Sequence, residues 1–282
     1  MFTLKIENKR GETITLSNNG NYAIVGIDGL ASTSATINTA NTGLIDGAMF
    51  NSSRVNMRNI VLTVAINGDA ERNRIELYKY FKIKQYCKMY YQNGIRNVYI
   101  EGFVETIETN LFTQAQTVQI SIICPHPYFS ALATIHSDVS RVVSTFSFPF
   151  SLSKTGKEFS YIQNDYIATV TNKGDVECGI KAVLTAKGRV VNPIIYNAET
   201  GGSFGVKVTM GNSDQLIINT HDGEKSVSFI QNGVETNYIN HIMANPEWFT
   251  LLAGDNIFTY TAESGVDDLS IYFVHQSKYM GV

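Results

Sequence analysis

Apolar and polar positions alternate most cleanly at 58–66, where Ile60, Leu62, Val64 and Ile66 share one face and Asn59, Val61, Thr63 and Ala65 the other. Successive strand side chains point to opposite faces, so this pattern predicts a half-buried strand. Asn67, Gly68 and Asp69 then break the period. Asp69 can cap a helix by accepting a backbone N–H, and Glu71 complements the positive end of the helix dipole. A short amphipathic helix over 70–82 is predicted, covering the sheet through Ile75, Tyr78 and Phe81. Further β-rich runs lie at 2–7, 13–16 and 22–27 before it and at 86–92, 96–108 and 115–124 after it, and the polar stretch 31–41 reads as an irregular strand or a loop. Asn93 and Gly94, between two such runs, predict a tight hairpin with both residues at positive φ. Pro125 and Pro127 end the last run by removing ladder donors.

The second half lacks a helical period. Strand candidates recur at 166–171, 176–185, 190–196, 204–210, 215–219, 226–230, 256–261 and 269–274, separated by Gly, Asn and Asp turn signals. That spacing predicts a β-sandwich. With 282 residues, the chain is long enough for two domains. The expected order is an N-terminal β domain with one helix at 1–130, a linker or connecting segment at 131–164 and a C-terminal β-sandwich at 165–282, a mainly β fold throughout.

Hydrophobic residues make up 44% and charged ones 17%, which excludes a disordered chain. A net charge of −3 lacks the basic excess that grips phosphate backbones, so no sequence-specific nucleic acid is expected. No apolar run approaches the roughly 20 residues of a membrane span, and no membrane partner is expected. Cys87, Cys124 and Cys178 are widely spaced and read as buried thiols. His126, His136, His221, His241 and His275 never fall at paired-ligand spacing, and no metal or cofactor is expected.

Candidate chemistry is sparse. Gly223, Glu224, Lys225 and Ser226 lack the glycine spacing of a phosphate loop and read as a hairpin turn. Glu101 and Glu105 share one side of a strand, as paired catalytic carboxylates do, but on a strand rich in outward polar groups a hydrated face is the better explanation. They alone motivate a cell-wall-degrading enzyme. Trp248, in Asn245, Pro246, Glu247, Trp248 and Phe249, motivates a carbohydrate-binding module for host-surface attachment, although Trp before Phe and Leu reads more readily as core. The basic residues Arg72, Arg74, Lys79, Lys82, Lys84 and Lys88, interleaved with Tyr78, Tyr80, Phe81 and Tyr86, read as a solvated face.

The order of short stretches is more informative. Asp28, Gly29 and Leu30; Asp46, Gly47 and Ala48; Arg58, Asn59 and Ile60; Gly68 and Asp69 before Arg74, Leu77, Tyr78 and Phe81; Asn93 and Gly94; and Cys124 through Phe129 follow one another over nearly half the chain. In this order they resemble the N-terminal domain of the distal tail protein family of long non-contractile-tailed bacteriophages. Gly254, Asp255 and Asn256, with Tyr279 through Val282, resemble the family's galectin-like C-terminal domain more weakly. The resemblance implies a virion structural protein, phage- or prophage-borne and made in the host bacterial cytoplasm, at the tail tip. It implies a homohexameric ring built by a β-sandwich-like N-terminal domain, joining the tail tube to the tip or baseplate and leaving a channel for DNA. The implied partners are other copies of the chain, the tail tube protein, a tail tip or tail-associated lysin protein, and receptor-binding proteins. No catalytic residue carries over. A half-covered sheet with exposed edges is expected to supply the self-contact.

Overall fold

A computed structural model describes residues 2–41, 43, 46–111, 113, 115–138, 140–144, 160–164 and 167–282. The chain divides into two compact units. Unit 1 comprises Met1–Leu132 together with Lys278–Val282, and unit 2 comprises Ala133–Ser277.

The strands of unit 1 are β1 (Thr3–Asn8), β2 (Thr13–Leu16), β3 (Tyr22–Asp28), β4 (Ala35–Ala40), β5 (Met49–Val55), β6 (Arg58–Ile66), β7 (Tyr86–Gln92), β8 (Asn97–Thr109), β9 (Thr117–Cys124) and β10 (Phe129–Ala131), with helix α1 (Ala70–Tyr80) between β6 and β7. One antiparallel sheet runs β2-β1-β7-β8-β9-β6-β3. Its two outer strands approach each other at one point: just beyond β2, Ser17 bridges Ala23 in parallel, and the Ile24 N–H donates to the Ser17 carbonyl at 2.8 Å. The sheet curls far enough to bring the end of β2 beside β3, as a strongly twisted sheet does. Inside lie Leu4, Ile6, Leu16, Ile60, Leu62 and Val64, all fully buried.

Helix α1 begins where Asp69 predicts, its carboxylate accepting the Arg72 N–H at 3.2 Å. The face it buries differs from the expected one. Asn73 and Leu77 point inward with Phe81 at the C-cap, whereas Ile75 is 54% exposed. Asn73 tolerates burial because its amide donates to the Asn67 carbonyl at 2.7 Å and its backbone carbonyl accepts the Tyr22 hydroxyl at 3.0 Å. The β7–β8 hairpin forms at Asn93, but neither Asn93 nor Gly94 is among the positive-φ residues. Asn93 instead accepts the Ile95 and Arg96 N–H groups at 2.8 and 2.7 Å, an Asx turn closing a longer loop.

In unit 2 the strands are β11 (Ile135–Asp138), β12 (Ser140–Ser144), β13 (Ser160–Asn164), β14 (Ile167–Asn172), β15 (Cys178–Ala186), β16 (Val190–Asn197), β17 (Ser203–Gly205), β18 (Thr209–Met210), β19 (Gln215–Asn219), β20 (Ser226–Gln231), β21 (Val234–Asn237), β22 (Thr250–Leu251), β23 (Gly254–Ser264) and β24 (Leu269–His275). One sheet runs β11-β24-β15-β19-β20-β21 and another β14-β23-β16-β17. Their inner faces share one core containing Val170, Leu184, Phe204, Phe258 and Phe273, with the Phe258 and Phe273 rings 5.0 Å apart. This is a β-sandwich, and the mainly β fold with a single α-helix among the described residues is borne out. Within 131–164, β11 pairs with β24 and β12 pairs with β13. The first part of the 166–171 expectation, Tyr166, lies outside the described residues.

After β24 the chain returns to unit 1. Lys278–Tyr279, here called the return strand, pairs antiparallel with β10, Phe129 opposite Tyr279.

Candidate functional site

β4 and β5 form a two-stranded sheet that joins no other strand of the chain among the described residues. Every residue of β5 is exposed, and only Thr36 in β4 is partly covered. Among them Ile37, Met49 and Phe50 are 63%, 59% and 65% exposed. The hairpin is held by its own polar contacts. Asn38 donates to the Ser52 hydroxyl at 3.0 Å, and at the root the Asn56 N–H donates to the Ser34 carbonyl at 3.0 Å. A two-stranded ribbon with no hydrophobic face packed is marginal alone in water. Its apolar side chains, and the free backbone edges of both strands, are suited to covering by another protein surface.

The root of this hairpin is tied to the curled sheet by Arg58, the first residue of β6, which is 1% exposed. Its Nε donates to the Pro127 carbonyl at 2.7 Å, Nη1 donates to the Gly29 and Ala31 carbonyls, and Nη2 donates to the Met280 carbonyl. The guanidinium also lies over the Phe129 ring, 4.7 Å from its centre. No carboxylate pairs with it among the described residues. Burial lowers its pKa from the ordinary value, opposed by the nearby Cys124 thiol. Gly29 is required here: its φ is +85°, and a Cβ would stand 2.1 Å from the Asn59 carbonyl oxygen. Sequence reading gave Arg58 no role of its own. The available signal was that four of the quoted stretches, at 28–30, 58–60, 124–129 and 279–282, meet at this one side chain.

The residues singled out for chemistry are not brought together. Glu101 pairs with Lys88 at 3.2 Å, and the Lys88 ammonium sits 3.7 Å from the centre of the Tyr99 ring. Glu105 stands at a bulge in β8 and accepts the Ser121 hydroxyl at 2.9 Å. Both belong to the outward row of β8, as a hydrated face requires. The basic residues do not form one stripe, since Arg74 pairs with Glu71 at 2.7 Å while Arg72 and Lys79 line a groove together with Asp69, Glu71 and Glu76.

Trp248 packs edge-on against Phe204 at 4.9 Å, partly buried, with the Lys225 ammonium 5.7 Å from its ring centre. The ring thus packs against the core of unit 2, as the local sequence around it suggests. Gly223, at φ +80°, lies in the β19–β20 turn closed by the Glu224 N–H to the His221 carbonyl at 3.0 Å. Among the described residues no three His, Cys, Asp or Glu side chains gather to hold a metal. The three cysteines are free and buried, and burial pushes the Cys87 and Cys124 thiols up to about 12. His275 is buried with neither ring nitrogen in hydrogen-bonding geometry. Burial lowers its pKa, the neighbouring backbone of Thr171 opposes this, and the charge of His221 adds to the lowering.

The architecture defined by these features is a curled, barrel-like antiparallel sheet with one helix and an exposed hairpin, and a β-sandwich inserted in the chain before its last strand. Residues 9–124 match the family model described as the phage tail protein RIFT-related domain. The whole chain shares its fold with the SPP1 Dit (gp 19.1) protein, a phage distal tail protein described as a paradigm of the hub adsorption apparatus in phages infecting Gram-positive bacteria. That similarity has a TM-score of 0.69 at 10% identity, over 99% of each chain. Chains of the phage P2 baseplate in its activated conformation are also similar. The calcium form gives a TM-score of 0.52 at 14% identity and the strontium form 0.51 at 13%, each over 100% of both chains. No curated protein sequence matches the chain. Residues 9–124 thus carry the phage-tail domain that the resemblance implies, and the chain as a whole has the fold of SPP1 Dit. No helix among the described residues is long and apolar enough to cross a membrane.

Proposed function

We propose that the chain is a tail-tip hub of the virion: a homohexameric ring, formed through unit 1, that joins the tail tube to the tip or baseplate and leaves a channel for DNA. The role is structural and non-enzymatic. The observation that carries this reading is the β4–β5 hairpin, whose Ile37, Met49 and Phe50 are open to solvent on a ribbon that its own chain leaves uncovered. The outer strands of the sheet meet only at Ser17 and Ala23, whereas the hairpin offers exposed apolar side chains as well as backbone edges, and it becomes the self-contact. A ring closes when the same heterologous contact repeats around an axis. The net charge of −3 suits a channel through which DNA slides without sticking. Tail tube protein, a tip or tail-associated lysin protein, and receptor-binding proteins are the partners this position gives it.

Native mass spectrometry of the purified chain over a range of concentrations tests the reading. A closed hexamer supports it, and a chain that remains single both alone and in the presence of tail tube protein contradicts it.

A further inference from the structure

Arg58 holds carbonyls from three places in the chain that are far apart in sequence. Gly29 and Ala31 lie just before the hairpin, Pro127 precedes β10, and Met280 follows the return strand. The return segment also touches the hairpin root directly. The Val282 N–H donates to the Leu30 carbonyl at 3.2 Å, and a Cβ on Gly281 would stand 3.0 Å from that same oxygen. Tyr279 is covered by Arg96, whose guanidinium is 4.1 Å from the ring centre.

Between Leu132 and Lys278 the chain builds all of unit 2. Until residues 278–282 are in place, a buried guanidinium lacks one of its acceptors, and nothing else described carries a carboxylate to it. A buried charge left short of a partner is more costly than a lost neutral hydrogen bond. Arg58 then relaxes toward water and releases the Gly29 and Ala31 carbonyls, and the hairpin loses its fixed root.

We propose that Arg58 makes self-assembly conditional on the return segment: the hairpin is fixed for contact between copies only once residues 278–282, which follow unit 2 in the chain, are in place. This rests on the reading of the hairpin as the self-contact. Chains that carry the sequence up to β10 but not yet residues 278–282 are thereby kept out of the ring.

Two full-length variants test the proposal. Arg58→Met removes the donors, and Gly281→Val forces the return segment away from Leu30 while leaving Arg58 intact. Backbone hydrogen exchange and native mass spectrometry are read on each. The expected result is exchange roughly tenfold or more faster across 29–57, the loss expected for one hydrogen bond to a charge. Protection of β1, β7 and β8 and the thermal transition of unit 2 stay unchanged, and the concentration needed for assembly rises by about tenfold. Assembly as in the wild type overturns the proposal. So does loosening spread evenly through β1, β7 and β8, which makes Arg58 a general core residue. A wild-type chain that never assembles defeats the ring reading and this proposal with it, whereas a wild-type ring whose variants assemble normally defeats this proposal alone.

Discussion

Strands β5 and β6 are separated by only Asn56 and Met57, yet they meet opposite fates. In β6 every second residue from Arg58 to Ile66 is buried, while in β5 all seven residues from Met49 to Val55 are exposed. Apolar content does not separate them, because β5 carries Met49, Phe50 and Val55. Period does. The alternating apolar positions of β6 fill the inner face of the curled sheet, whereas the apolar residues of β5 bracket Asn51, Ser52, Ser53 and Arg54 and have no interior of their own to enter. A strand that cannot bury its hydrophobic side chains within its chain stands out as a surface for contact with another.

The sharpest break in this comparison is within β6. Leu62→Ala removes a fully buried side chain and is expected to destabilise unit 1 by about 2–5 kcal/mol in chemical denaturation. Loss of the helix cap comes next: Asp69→Ala removes the acceptor for the Arg72 N–H, and a decrease of about 0.5–2 kcal/mol is expected from the same measurement. In unit 2 the expected effect depends on pH. The pKa of His275 is lowered in the folded state, so the unfolded chain binds the proton more readily. The resulting stability is present above the unfolded pKa of about 6.5 and is lost as pH falls below it. Thermal unfolding between pH about 5 and 7 reads this slope, and His275→Leu flattens it. The smallest effect is in β5. Phe50→Ser is expected to change the stability of the single chain by no more than about 0.5 kcal/mol, because the side chain is already in water. The same substitution is expected to raise the concentration needed for assembly.

Legibility in the sequence followed the same divide. The bounds of β6 are those that alternation predicts, and β2, β7 and β19 also coincide with their expected ranges. Helix α1 was legible through Asp69, but its buried face was not. Counting apolar residues selected Ile75 over Asn73, whereas the amide of Asn73 finds the Asn67 carbonyl and so can be buried. Two of the Asn-Gly pairs, at 93–94 and 232–233, lie between β-rich runs and carry the same local signal. At Asn232 and Gly233 both φ values are positive, as a two-residue hairpin loop requires, but at Asn93 the side chain caps the following amides and a longer loop results. The choice depends on the register of flanking strands, which the dipeptide does not encode. β5 was missed because its residues have no period to detect. Arg58 was missed as a node because a cation reads as surface, and its burial depends on carbonyls supplied by loops remote in sequence. The candidate carboxylates, Glu101 and Glu105, and the lone tryptophan were all placed by local reading nearer to solvated face and core than to a catalytic cleft, and the contacts of Lys88, Ser121 and Phe204 agree.

The central claim is that copies meet through the uncovered hairpin. Native mass spectrometry comparing the wild-type chain with Ile37→Ser/Phe50→Ser at matched concentration tests it most directly. A hexamer for the wild type and a single folded chain for the variant is the predicted result; equal assembly by both, or by neither, contradicts it.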